Sequence, residues 1–434
     1  MITITSEYLN ENWGILATNS ILPITLSVWD EGDVYTLSSL GSIPSQKVAL
    51  AAIVLGEKKV TDFPIVVRLH ELSDTTKTFN YQSPEGDRYN VSAERSSTGV
   101  IESMEIKVVG LIKDLASRRN GLIETDLLKD SSLLIIGLGT GGIQIALELA
   151  KSGVGKFKLI DPDRLEAGNV GRHHAGISFV GRKKVNVAKD LILDKNPFAQ
   201  VETFSVFASE ENKEMLIPII ENIDLIICAN DSRQNKLFIN SLCLAVKKPA
   251  IFAGAFRRAY GGQILRVRPG ESACYHCFVL AMPEREADQE ISSEENAQEI
   301  AYSDMRVLVE PGLSMDVAPI GIMASKLALQ ELIKGKESTL HILDKDFEAN
   351  WYFWINRPEP KTDYASLPPL SESGPLSKNG NDMTILRWYG VYLEKDQGCP
   401  TCGDFSKVLR EQYSLDSGAI KPPSYSVPPS EIKD

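Results

Sequence analysis

Four of the six cysteines stand in two Cys-x-x-Cys pairs, Cys274 with Cys277 and Cys399 with Cys402. A turn that presents two sulfurs three residues apart is a chelating unit, and two such turns offer four thiolates to one ion. In a chain with no export signal this pattern favours metal binding over structural disulfides. Cys228 and Cys243 fall inside apolar runs and read as small buried hydrophobes. A second grouping is glycine-rich: Gly137-Leu138-Gly139-Thr140-Gly141-Gly142 follows the apolar run 133–136 and opens a helical pattern. Bare backbone amides at a helix N-terminus suit a phosphate. Beyond it, Asp161 closes the next strand-like run, where a carboxylate can meet a ribose hydroxyl. To this point a dinucleotide dehydrogenase and an ATP enzyme fit equally. The segments Asn169-Val170-Gly171-Arg172 and Gly181-Arg182-Lys183-Lys184 separate them. A nicotinamide enzyme needs no cations converging on a triphosphate, whereas an adenylating enzyme needs them where charge builds at the α-phosphorus.

These residues require particular elements to hold them. Strand-like runs at 133–136, 157–160, 201–207, 224–228 and 250–255 alternate with helical patterns from 142, at 182–194, at 210–220 and at 234–246. That order implies an α/β fold, a doubly wound Rossmann-like, mainly parallel sheet with ligands at the carboxyl ends of its strands. Residues 1–117 read as a smaller α/β domain, with strands at 26–29, 63–69 and 88–93 and helical spacings at 48–55 and 101–115. That domain shows no glycine loop, metal cluster or nucleophile. Residues 118–356 form the second domain, in which the polar, acidic stretch 283–305 matches neither pattern and reads as a mobile crossing loop. A long core helix is expected from about Met315 and a strand at 351–355. Residues 357–382 read as a linker or extended wrap, and 383–434 as a segment bringing in the second cysteine pair and ending in a flexible Pro-rich tail.

The chain has 434 residues, 46 basic against 58 acidic, for a net charge of −12. That balance argues against nucleic acid or an anionic membrane as main partner. The apolar run 313–333 carries Asp316, Pro319 and Lys326, which marks a buried core helix and not a membrane span. No basic segment precedes an apolar run at the N-terminus, so a cytoplasmic protein is expected.

The order and content of these motifs resemble the superfamily that adenylates the C-terminus of ubiquitin-like proteins and sulfur carriers, the ThiF type, which includes ubiquitin-activating enzymes and the molybdopterin- and thiamine-pathway adenylyltransferases. The resemblance covers residues 130–333 and the last cysteine pair. It implies that Gly137, Gly139 and Gly142 line the phosphates of ATP, that Asp161 holds the ribose, and that Asn169, Arg172 and Lys184 contact phosphates. Asp231 then matches the residue that positions Mg2+, with Asn230 and Ser232 as neighbours able to share that task. Cys274, Cys277, Cys399 and Cys402 match a structural Zn2+ site, with His276 a bystander. Glu310-Pro311-Gly312-Leu313 resembles the return from the crossing loop. The implied partners are a ubiquitin-like or sulfur-carrier protein ending in glycine, a conjugating enzyme, and a second copy of the chain in a homodimer. A bacterial ubiquitin-like conjugation system is the setting such partners would define.

Several features depart from that pattern. Many relatives pass the activated carboxyl to a cysteine of the crossing loop, yet none lies between Cys277 and Cys399, so either the reaction stops at an acyl-adenylate that another protein's thiol attacks or the chain carries a substitution there, with Ala287, Ala297 and Ala301 in the corresponding region. His173 and His174 stand where relatives carry glutamine, and Arg118 or Arg119 stands where relatives place an arginine that reaches a partner's ATP site. The alternatives kept beside adenylation are a nicotinamide-dependent oxidoreductase and a non-catalytic nucleotide-binding scaffold.

Overall fold

The computed structural model describes residues 1–29, 34–37, 47–74, 77–97, 100–119, 121–124, 126–282, 298–302, 305–309, 312–356 and 387–404. The expectations for 357–382, for the tail and for Ala287, Ala297, Glu310 and Pro311 lie outside them. The chain divides into two compact units, Met1–Thr125 and Asp126–Asp434.

The first unit runs β1 (Ile2–Thr5), α1 (Ser6–Glu11), α2 (Trp13–Asn19), β2 (Ile21–Trp29), β3 (Val34–Leu37), β4 (Lys47–Leu55), β5 (Ile65–Glu71), β6 (Tyr81–Gln82), β7 (Arg88–Ser97), β8 (Val100–Met104), β9 (Ile106–Val109) and α3 (Leu111–Ala116). Its strands form one mixed sheet in the order β6-β7-β5-β4-β2-β3-β1-β9, with β8 paired to β7. Thr5 starts α1 by accepting a hydrogen bond from the Tyr8 amide, 3.2 Å. Leu9, Trp13 and Leu16 then pack with Ile2, Ile4, Ile53, Val67 and Leu69 in one core. The helix expected at 48–55 is a strand. Ala51 and Ile53 enter the α1–α2 core while Ala52 and Val54 pack with Val66 on the opposite face. A strand apolar on both faces loses its period of two and mimics a buried helix. The expected helix at 101–115 is mostly β8 and β9, with only α3 helical.

The second unit runs β10 (Ser132–Ile136), α4 (Thr140–Lys151), β11 (Lys156–Ile160), α5 (Lys184–Lys195), β12 (Gln200–Phe204), α6 (Lys213–Glu221), β13 (Leu225–Cys228), α7 (Arg233–Ala245), β14 (Ala250–Ala255), β15 (Gly261–Val267), α8 (Tyr275–Ala281), β16 (Gln298–Tyr302), β17 (Met305–Val309), α9 (Ser314–Ile333), β18 (Trp351–Ile355) and β19 (Arg387–Val391). The sheet order is β12-β11-β10-β13-β14-β15-β18-β19. The first five strands are parallel and the last three antiparallel. Chain order reverses at the boundary between β10 and β13, so their carboxyl ends frame the crevice where such sheets take ligands. Only the first half has the repeated βαβαβ order; β15 turns back where a dinucleotide domain would continue in parallel. At the end of the stretch expected to match neither pattern and just beyond it, β16 and β17 pair as a hairpin, Tyr302 opposite Met305.

Helix α9 lies against α4 and the strands β14 and β15, burying Ile320, Ala324, Leu327, Ala328 and Ile333. It is a core helix, and among the described residues no helix is long and apolar enough to cross a membrane. Near its end the Glu331 carboxylate takes two hydrogen bonds from Arg268, 2.7 and 2.9 Å, with Arg266 at 4.0 Å. Arg266 also donates to the carbonyl of Ala349 at 2.9 Å. The Glu331 side chain is only 3% exposed, and Glu331→Ala takes from Arg268 its charged hydrogen-bond partner, a loss of about 2 kcal/mol. Calorimetry should show unfolding lowered by about 6 °C; a shift within error would remove this network from the forces holding α9.

Candidate nucleotide and metal sites

The glycine loop begins where β10 ends. Gly137 donates to the Ile160 carbonyl, 2.9 Å, and Ala229 donates to that of Ile136, 2.8 Å, which fixes the loop to both flanking strands. Gly137 has φ of +90°, and a Cβ there would meet the Asn230 nitrogen at 2.8 Å; at Gly142 it would meet the Gly137 carbonyl oxygen at 1.9 Å. Those two glycines permit the close turn. Gly139, the residue before α4, has nothing within 4 Å of the same test atom and faces open space.

Asp161, 4% exposed, sits beneath this loop. Its two oxygens accept from the Leu138 amide at 2.7 Å and the Asp163 amide at 2.9 Å. Burial raises its pKa, opposed by Lys184 and by those two amides. A carboxylate has about four acceptor sites, so these bonds leave room for ribose hydroxyls. Lys184, at the start of α5, makes a 2.8 Å ion pair with Asp163 and is 13% exposed. Its ammonium is thus held by the residue next but one to Asp161.

The remaining candidates are carried by one loop. Leu165 donates to the Arg182 carbonyl and Gly181 to that of Leu165, both at 2.8 Å, and these bonds close its neck. Inside it, Asn169 Oδ1 accepts from the Glu166 amide, 3.0 Å, in a capping box around the short turn Ala167–Asn169. The Arg172 amide donates to the Asn169 carbonyl, 3.0 Å. His173 reaches the glycine loop, its Nε2 3.2 Å from the Leu138 carbonyl oxygen. The His174 Nε2 lies 2.6 Å from Gln144 Oε1 on α4.

On the other side of the crevice, Ser232 caps α7 by accepting from the Asn235 amide, 3.3 Å, and the Asn230 carboxamide donates to the side chain of Asn235. Both neighbours are therefore engaged in holding the turn, and Asp231 between them is the exposed carboxylate. Arg118 and Arg119 lie on the turn after α3, in the first unit.

The four paired cysteines converge. Their sulfurs lie within 4.8 Å of one another, with Cys274 to Cys277 at 3.8 Å, Cys274 to Cys399 at 3.7 Å and Cys277 to Cys402 at 3.3 Å. Four sulfurs about 2.3 Å from a tetrahedral ion are about 3.8 Å apart. The cluster could hold a metal ion, and its donor set fits a soft divalent one. Without such a charge the thiols cannot all ionise: hydrogen bonding between them lowers Cys277 and raises Cys274, and burial pushes Cys402 up to about 12. His276 stands outside the group of four ligands, as expected, and its Nδ1 lies 2.7 Å from Thr401 Oγ1, a contact between the two cysteine turns.

Sequence reasoning passed over two residues of α7. Asn240 accepts from the Tyr275 amide, 2.9 Å, inside the first cysteine turn. Lys236 is 1% exposed, its ammonium 5.9 Å from the centre of the Tyr275 ring. One helix therefore touches the crevice at its start and the cysteine cluster further along. Spacing alone carried no sign of this, because a lysine in a helical pattern reads as surface. The buried states of Cys228 and Cys243, both 0% exposed, are as expected.

A reversed strand order with a glycine loop at the reversal and a four-sulfur cluster define a Rossmann-like α/β protein whose cysteines could hold a metal ion. The chain belongs to the ThiF family, whose model matches residues 114–351. It is 27% identical over 229 residues to the ubiquitin-like modifier-activating enzyme 5 of Caenorhabditis briggsae, covering 49% of this chain and 53% of that one. It is 30% identical over 162 residues to the adenylyltransferase and sulfurtransferase MOCS3 of Drosophila yakuba, covering 37% and 34%. It is 35% identical over 139 residues to the tRNA threonylcarbamoyladenosine dehydratase of Bacillus subtilis, covering 32% and 53%. The chain spans about half the length or less of these curated relatives.

Proposed function

We propose that this chain catalyses the ATP- and Mg2+-dependent adenylation of the C-terminal carboxylate of a ubiquitin-like or sulfur-carrier protein. The observation that carries this reading is the attachment of the loop 165–182 to the glycine loop, where His173 and Asp161 both bond Leu138 and Lys184 pairs with Asp163 two residues on. On this reading the bare amides of the glycine loop and the cations of Arg172 and Lys184 serve one crevice. Names among the relatives include activation, adenylyl transfer with sulfur transfer, and dehydration, so the family alone does not choose the acceptor.

The carrier's carboxylate, ionised at neutral pH, attacks the α-phosphorus. A phosphorus–oxygen bond forms, the bond to the β-phosphate breaks and pyrophosphate leaves. Gly137, Gly139 and Gly142 let the loop backbone approach the phosphates, Asn169 offers its amide group, and Arg172 and Lys184 meet the developing charge. Asp231, an exposed carboxylate at the crevice, fits Mg2+, which takes one or two carboxylates and substrate oxygens; the ion would neutralise phosphate charge. Zn2+ in the cysteine cluster would be structural, joining α8 to the segment after β19.

The acyl-adenylate is consumed by a nucleophile from another molecule. Within these 434 residues four cysteines form the cluster and the other two are fully buried, with burial raising the Cys243 thiol. An external thiol or amine attacks the carbonyl, the bond to AMP breaks and AMP departs. A cytoplasmic homodimer working with a conjugating enzyme completes the proposal.

The test is ATP–pyrophosphate exchange by the full chain with β-grasp proteins ending in glycine. Exchange only when carrier is added is the expected result. ATP binding without exchange against any carrier would favour the scaffold, and hydride transfer from a nicotinamide would favour the oxidoreductase.

A further inference from the structure

We infer that His173 is a positioning residue that aims the Gly139 amide of the glycine loop toward bound phosphate. The Ala175 amide donates to His173 Nδ1, 3.0 Å, so the ring proton resides on Nε2. Nε2–H then donates to the Leu138 carbonyl, 3.2 Å. Burial lowers the pKa of His173 to about 4, which keeps this neutral tautomer at physiological pH. The peptide linking Leu138 to Gly139 is planar and trans, so its N–H points opposite to its C=O. Pulling the Leu138 carbonyl toward His173 therefore turns the Gly139 N–H the other way, on a residue whose Cβ position meets nothing within 4 Å. The amide of Leu138 itself is held from the other side by Asp161, 2.7 Å. Leu138 is thus gripped at both its N–H and its C=O, one by a strand end and one by the loop 165–182. Because Arg172 precedes His173 in that loop, the same latch sets the cation segment against the phosphate cradle.

This inference rests on the nucleotide reading of the crevice. Its test compares the full wild-type chain with His173→Ala and His173→Gln by calorimetric titration with MgATP, by carrier-dependent exchange, and by hydrogen exchange of the peptide containing residues 137–142. Loss of one hydrogen bond predicts MgATP affinity lowered about threefold to tenfold in His173→Ala. The KM for ATP should rise by a similar factor and loop amides exchange faster. Glutamine, which keeps a donor, should restore affinity to within about twofold. If alanine unfolds the chain, His173→Leu fills the space without a donor and should show the same loss. Wild-type affinity in the alanine or leucine variant, or a glutamine variant as weak as alanine, overturns the inference alone. Wild-type binding of ATP without exchange against any carrier overturns adenylation and leaves the latch standing. Wild-type chain that binds no ATP overturns both.

Discussion

Arg172→Ala is expected to lower carrier-dependent ATP–pyrophosphate exchange by about a hundredfold or more, with the chain still cooperatively folded. Removing one preorganised group from developing charge costs about 10²–10³ in rate, and Arg172 lies on a loop whose neck is closed by backbone bonds that its side chain does not make. Lys184→Ala should act as strongly. Its ion pair is with Asp163, whose side chain is 58% exposed, and such a pair contributes little to folding. Exchange kinetics and calorimetry on the same preparations separate chemistry from stability. Wild-type exchange in either variant would remove that residue from the machinery, and in both it would remove the adenylation assignment.

Replacing Cys274 by serine should abolish stoichiometric metal and lower unfolding of the second unit by about 10 °C or more. Structural metal sites contribute folding free energy outright, on the order of 5 kcal/mol or more. Cys274 is central in this respect, since its sulfur is 3.8 Å from Cys277 and 3.7 Å from Cys399. A strong chelator on wild-type chain should have the same effect, reversed by added Zn2+. Elemental analysis and calorimetry report both quantities; metal retained by the serine variant, or an unchanged unfolding temperature after stripping, would disprove a structural metal.

Legibility followed the reach of each signal. The parallel strands 133–136, 157–160 and 225–228 stood out because both faces are buried and flanking helices interrupt them at regular intervals. The cysteine pairs were legible because each turn is complete in four residues. The strand Lys47–Leu55 was misread for a related reason: its residues serve two cores, so the alternation that marks a half-buried strand is absent. Gln298–Tyr302 and Met305–Val309 were hidden by their acidic surroundings. At the site, Gly137, Gly142 and Asp161 were predicted from a local motif, and the structure gives the two glycines close contacts and Asp161 its loop bond. The contact of His173 with Leu138 joins residues 35 positions apart. No local pattern encodes such a pairing, and the same holds for Asn240 and the Tyr275 amide.

The placement of the cysteine cluster also bears on self-association. Among the described residues β19 is the outermost strand on its side of the sheet, and Cys399 and Cys402 follow it within a dozen residues, in contact with α8 across 125 positions. With no ion in the cluster, β19 would be secured by its pairing with β18, by the two bonds between Asn350 and Leu393, and by aromatic contacts such as Phe353 on Tyr389 at 4.8 Å. Peeling it away would bare the hydrogen-bonding groups of Trp351–Ile355, an apolar aromatic strand with the makings of a template for intermolecular β-pairing. Metal-depleted chain would then be the species that precipitates, and the cluster would guard solubility as much as shape.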